Sequence, residues 1–163
     1  MNIFKHAVVA ATVALAVCGS VRADESNKLT YLTFTKATQL PGVTLPPGRY
    51  RFELADPVES RRVIKVANED GTKQLGMLLT VPNELREPAK DALVLFAETS
   101  AEEPAAVKAY VYPGERTGYE FVYPHDQALG IAKRAHTSVL SKSGEKIERI
   151  NEKGESAPAD AGK

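Results

Sequence analysis

The sequence predicts a mainly β fold, either an antiparallel β-sandwich or a partly open barrel of about seven short strands, finished by one short C-terminal helix. Three observations lead there. Residues 45–54, Leu-Pro-Pro-Gly-Arg-Tyr-Arg-Phe-Glu-Leu, run from a turn signal into strict alternation: Tyr50, Phe52 and Leu54 on one face, Arg49, Arg51 and Glu53 on the other. Short apolar runs recur along the chain, separated by Pro, Gly, Asn and Asp clusters that suit tight turns. A helical period occurs once, after Pro124.

In chain order, Lys5 and His6 precede an apolar run at 7–17, and small and polar residues follow, ending in Val21-Arg22-Ala23. This is the pattern of a secretory signal peptide cleaved after Ala23, and the run falls short of the roughly 20 apolar residues that span a bilayer. Lipidation at Cys18 is the alternative, disfavoured because Val17 stands where a small residue is wanted. Cleavage removes the only cysteine, and with Lys5 and Arg22 gone, 19 basic side chains face 21 acidic ones. Such near-neutrality argues against nucleic acid as a partner. The expected product is exported, periplasmic or extracellular, and does not span the membrane.

Residues 29–35 form the first expected strand, with Leu32 and Phe34 toward the core. Residues 36–48 hold Pro41-Gly42 and Pro46-Pro47-Gly48 and read as a loop or irregular edge. The prolines and Gly48 then fix the start of the second strand, with proline presetting φ and glycine accepting positive φ. Strands at 61–67 and 73–81 flank Asn68-Glu69-Asp70-Gly71, a hairpin signal. A calcium loop over the same acids fails because Val66 stands where an oxygen ligand is required. After a polar loop at 82–90, the continuous apolar run 92–97 reads as a strand buried on both faces in the middle of the protein. Strands at 105–112 and 119–123 form a last hairpin. Ala128, Ile131, Ala132 and Ala135 recur at helical spacing, so His125–Ala135 is the expected helix, with Pro124 and Asp126 suited to its first turn. Val139 and Leu140 would return the chain to the sheet. Residues 141–163 are polar, with only Ile147 and Ile150 as large apolar groups, and read as a disordered tail. One β-rich domain over 24–140 is the resulting organisation.

The chemistry is sparse. The mature chain has no cysteine, no Gly-x-Ser-x-Gly, no phosphate-cradling Gly-x-x-x-x-Gly-Lys and no His-Glu-x-x-His, and no cofactor or metal is expected. His125 and His136 would lie about 16 Å apart along a helix, too far to share one metal. His125 beside Asp126 would be an acid/base pair only if neighbours on a helix faced the same way, which they do not. Glu53, Glu98, Glu120 and Asp126 would serve a glycan hydrolase if two of them met across a cleft, but no spacing singles out a pair.

The candidate binding surface is the aromatic hairpin. If Val107, Ala109 and Val111 face the core, Tyr110 and Tyr112 point outward, Tyr119 joins a stripe on the next strand, and Arg116 sits at the loop tip. Tyr110, Tyr112, Arg116 and Tyr119 would then offer apolar area and hydrogen bonds to a glycan or to a protein of the envelope. Ordinary cross-strand aromatic packing, at about 0.2–1 kcal/mol per pair, accounts for the same tyrosines and is the stronger of the two readings.

Taken together, Leu40-Pro41-Gly42-Val43-Thr44-Leu45-Pro46-Pro47-Gly48-Arg49-Tyr50, the Tyr112-Pro113-Gly114 turn, and Glu120-Phe121-Val122-Tyr123-Pro124 followed by a helix resemble a group of exported bacterial β-rich proteins of unknown function. The resemblance implies compartment and fold over about 29–140 and carries over no functional residue. A non-catalytic binding or envelope-associated accessory domain is the expected function, with a glycan-acting hydrolase as the alternative.

Overall fold

The structure, a computed structural model, describes residues 27–97 and 103–160. The expected signal segment and its cleavage point, Cys18, and Glu98 lie outside them. The fold is mainly β and sandwich-like, with no closed barrel.

The first sheet begins with β1 (Thr30–Phe34), whose alternation buries Thr30, Leu32 and Phe34. Next come β2 (Thr38–Leu40) and β3 (Val43–Leu45), a small hairpin within the stretch expected to be irregular. Strand β4 (Gly48–Asp56) turns Tyr50, Phe52 and Leu54 inward as its alternation requires. Its start is fixed differently from the expectation. Gly48 does not adopt a positive φ; a Cβ there would lie 3.3 Å from the Tyr50 hydroxyl, which donates to the Pro46 carbonyl (2.8 Å). Glycine is needed here for room beside the ring.

Strands β5 (Ser60–Asn68) and β6 (Gln74–Glu84) form the expected hairpin. Gly71 takes φ +76°, and its N–H donates to the Asn68 carbonyl (3.0 Å). Asp70 accepts from the Thr72 N–H (2.8 Å) and hydroxyl (2.6 Å), so this carboxylate closes the turn. The first half of β6 pairs with β5 and the second half with β9 (Thr117–Phe121), so one long strand carries the sheet around its corner.

Strand β7 (Leu93–Ala97) is a correction. It pairs with β8 (Ala105–Val111) alone, so it lies at an edge and not in the middle. Its unbroken apolar run arises because its two faces are both covered. Phe96 meets Phe34 at 6.4 Å between ring centroids, and the helix packs against the same strand. The strand truly enclosed is β8, flanked by β7 on one edge and by β9 and β2 on the other.

The second sheet follows the turn at Val122. Strand β10 (Tyr123–Pro124) leads into α1 (His125–Ala135), whose bounds match the expected helix, and β11 (Val139–Ser143) returns parallel to β10. Ala128, Ile131 and Ala132 form the helix's buried face. Gln127 ties α1 to the β2–β3 turn, accepting from the Gly42 N–H (2.8 Å) and donating to the Leu40 carbonyl (2.9 Å). Strands β12 (Lys146–Ile150) and β13 (Ser156–Pro158) complete this sheet.

The polar segment from residue 141 is therefore not a disordered tail: through residue 158 it supplies most of the second sheet. Composition misleads here because only a few residues do the burying. Ile150 is fully buried, as are Val139 and Leu140 just ahead of the segment, while Glu148 and Arg149 are buried with partners. The count of strands rises accordingly, to thirteen with one helix among the described residues. No helix among these residues is long and apolar enough to cross a membrane.

Candidate functional site

The hairpin of β8 and β9 pairs Tyr110 with Tyr119, and their rings stack at 6.5 Å. The expectation that the tyrosines point outward is overturned. Tyr110, Tyr112 and Tyr119 are 1%, 5% and 2% exposed. The cause is a bulge in β8. Leu95 faces Ala109 and Phe96 faces Val107, so Lys108 is an extra residue that resets the alternation. Val107, Tyr110 and Tyr112 then share the core with Phe52 and Phe34. The Tyr110 hydroxyl donates to Thr30 Oγ1 (2.6 Å), and burial raises its pKa well above the ordinary tyrosine range. Tyr123 is held similarly, donating to the Val107 carbonyl (2.6 Å), and burial raises its pKa as well.

Of the four candidate binding residues, Arg116 is exposed and the three tyrosines are buried, Tyr119 alone among them lining a pocket. Arg116 is exposed at the loop tip, and its Nε donates to the Leu85 carbonyl (3.4 Å). Tyr119 borders an open pocket of about 220 Å³, lined also by Arg61, Pro82, Glu115 and Thr117. Register brings these together. Pro82 stands opposite Tyr119, Glu84 opposite Thr117, and Arg61 enters from the start of β5. Glu115 is the pocket's carboxylate, 2.7 Å from Lys28 and a looser 3.5 Å from Arg61. Lys28 also lies 4.8 Å over the Tyr112 ring. Burial raises the Tyr119 pKa, the Glu115 charge adds to this, and Arg61 opposes it. The sequence reading missed Arg61, Pro82, Glu115 and Thr117. Its one available signal was that Glu115 and Thr117 flank Arg116 in the same loop.

The hydrolase candidates among the described residues, Glu53, Glu120 and Asp126, each have their own surroundings. Glu53 is buried under Lys65 (2.6 Å) and Arg51 (2.8 Å), and Glu120 is held by Arg149. Asp126 is exposed in the first turn of α1. His125 Nδ1 lies 3.5 Å from Ser141 Oγ, the separation of a loose nucleophile–base contact, but Ser141 is fully buried and out of a substrate's reach. His136 pairs with Glu152 at 2.5 Å at the far end of the helix. No group of three metal-ligating side chains occurs among the described residues.

The remaining charged cluster lies between the sheets. Arg149 of β12 donates through Nη1 and Nη2 to both oxygens of Glu120 on β9 (2.7 and 2.6 Å). Lys108 is nearby and half-buried; burial lowers its pKa, the Glu120 charge opposes that, and Arg149 reinforces it.

Comparison of the chain with family models, curated proteins and solved structures gives no match.

Proposed function

We propose that this chain is an exported, non-catalytic binding domain of the cell envelope, and that its ligand is a glycan seated in the pocket over Tyr119. The observation that carries the reading is the composition of that pocket. A guanidinium, a carboxylate and a hydroxyl, from Arg61, Glu115 and Thr117, line it together with Pro82 and the edge of Tyr119. A sugar ring has the matching character, with hydroxyls at its rim and C–H faces that lie against apolar or aromatic surface. The loose 3.5 Å contact with Glu115 leaves Arg61 able to turn toward ligand hydroxyls, while Lys28 at 2.7 Å holds the Glu115 carboxylate in place as a fixed acceptor. Export rests on the Lys5-to-Ala23 signal pattern. Glycan hydrolysis would need two carboxyls about 5–9.5 Å apart across the ligand, and Glu115 is the pocket's one carboxylate among the described residues.

The test is a thermal-shift and calorimetric screen against cell-wall fragments, neutral and acidic oligosaccharides, and peptides. A ligand at a hundred times its Kd adds about 2.7 kcal/mol, enough to raise Tm by several degrees. Glu115→Gln and Arg61→Ala are expected to abolish the shift while leaving the fold intact. A shift that survives both variants places the ligand elsewhere, and a peptide-only response replaces the glycan reading. Tyr110→Ala is unsuitable as a probe, since it opens a hole in the core.

A further inference from the structure

We infer that the pocket over Tyr119 selects an acidic sugar, a uronic acid whose carboxylate is taken by the Arg61 guanidinium, and that Lys28 is the residue that leaves Arg61 available for it. The inference rests on the glycan reading above and adds the ligand's charge. Lys28 and Arg61 approach the same oxygen, Oε1 of Glu115, but at 2.7 and 3.5 Å. The short contact belongs to the better-shielded pair: the Lys28 and Glu115 side chains are 18% and 21% exposed, whereas Arg61 is 53% exposed. Attraction is stronger at the shorter distance and solvent screening is weaker there, so Lys28 is the principal counterion of Glu115. Lys28 is also held from other sides. Its ammonium lies 4.8 Å over the Tyr112 ring, and its carbonyl accepts from the Thr30 hydroxyl (3.3 Å).

With Glu115 neutralised by Lys28, the pocket's surplus charge is positive and sits on Arg61, its one exposed lining residue. Glu84, across from Thr117 in the sheet, does not line the pocket. A planar guanidinium meets a carboxylate through two parallel N–H···O bonds, a match that no single sugar hydroxyl offers. The volume, about 220 Å³, is below the roughly 300–1,000 Å³ of drug-sized sites, so one sugar ring enters and its substituents decide selection. Arg61 takes the ring's carboxylate, Glu115 and Thr117 take its hydroxyls, and Pro82 meets its C–H face.

The test is calorimetric titration of the full chain with oligomers of glucuronic, galacturonic and mannuronic acid, each beside its carboxyl-reduced counterpart, at constant ionic strength. Reduction turns the carboxylate into a neutral hydroxymethyl group and keeps every ring hydroxyl in place. A uronic oligomer is expected to bind roughly ten- to hundredfold more tightly than its counterpart, the contribution of a charge-assisted contact. Arg61→Gln, at an exposed side chain, is expected to bring the uronic oligomer down to its counterpart's affinity. Lys28→Met frees Glu115 to pair with Arg61, so the ratio between the two affinities should fall there too. A merely structural lysine would lower both affinities alike, and that result overturns the positioning role. Arg116→Gln removes a charge from the same loop without altering the lining and should leave the ratio unchanged; a fall as large as in Arg61→Gln reports diffuse charge and overturns the proposal. Equal binding within every pair also overturns it and leaves the glycan reading standing, whereas binding by neither member of any pair removes both. If Lys28→Met does not fold, Arg61→Gln and the paired titrations still decide.

Discussion

Removing one partner of the Glu120–Arg149 pair is expected to be among the most damaging single changes at the junction of the two sheets, and the two possible removals differ in a way the surroundings dictate. The side chains are 4% and 10% exposed and joined by two short charge-assisted hydrogen bonds. At an effective dielectric of about 20, charges about 4 Å apart interact by roughly 4 kcal/mol, and breaking a buried pair from one side costs about 3–5 kcal/mol. Arg149→Met strands the Glu120 carboxylate, but Lys108 stands near enough to take over part of its charge. Glu120→Gln instead leaves Arg149 and Lys108 together with no anion. Arg149→Met is therefore expected at the lower end of that range and Glu120→Gln at the upper end. At about 2–4 °C per kcal/mol for a chain of this size, these losses lower Tm by roughly 6–20 °C. Urea unfolding followed by circular dichroism gives the free energies, and hydrogen exchange across β11 to β13 locates the loosening. The double variant Glu120→Leu/Arg149→Met removes both charges and should recover most of the loss, since apolar replacement of a buried pair is often neutral or stabilising. Costs below about 1 kcal/mol for both single variants, the value of an exposed pair, would refute the reasoning, as would Arg149→Met proving the worse of the two.

The other expectations concern the acid limb, the hairpin turn and the C-terminal strands. Burial alone would raise the Glu53 pKa, but hydrogen bonds and charge from Lys65 and Arg51 outweigh it and hold the carboxyl below its ordinary value near 4.5. Its stabilising contribution is thus present above that value and lost as pH falls through the lower folded one; Glu53→Gln should flatten the stability–pH curve in that window, as measured by urea midpoints. Gly71 (φ +76°) and Gly114 (φ +80°) each resist alanine by about 1 kcal/mol. Gly71→Ala should cost more, because its Cβ would lie 3.0 Å from the Arg51 guanidinium that holds Glu53, and an Arg51→Ala background should erase the difference. A chain ending at residue 138 loses β11 to β13, uncovers the buried face of α1 and strands Glu120, so a markedly lower Tm is expected where a disordered tail would give none.

How much of this was legible depended on the range over which each decision is made. The Tyr50, Phe52, Leu54 alternation, the Asn68-to-Gly71 turn and the helical period from Ala128 to Ala135 are set by neighbours a few residues apart, and each appears where the sequence places it. The direction of Tyr110 was not legible, because the alternation argument assumes an unbroken pleat. One extra residue at Lys108 reverses the phase after it, and nothing local in Val-Lys-Ala-Tyr marks a bulge. The edge position of β7 was hidden for a related reason: a continuous apolar run reports that two faces are covered, not that two neighbouring strands are present. The C-terminal strands failed on range alone. Arg149 reads as solvated until Glu120, 29 residues earlier, is placed opposite it. The pocket over Tyr119 has the same character, since Arg61 meets Glu115 across 54 positions. Local periodicity places the strands, but only the pairing of β6 with β9 brings Pro82 opposite Tyr119, so the pocket is a product of sheet register that no alternation or turn signal marks.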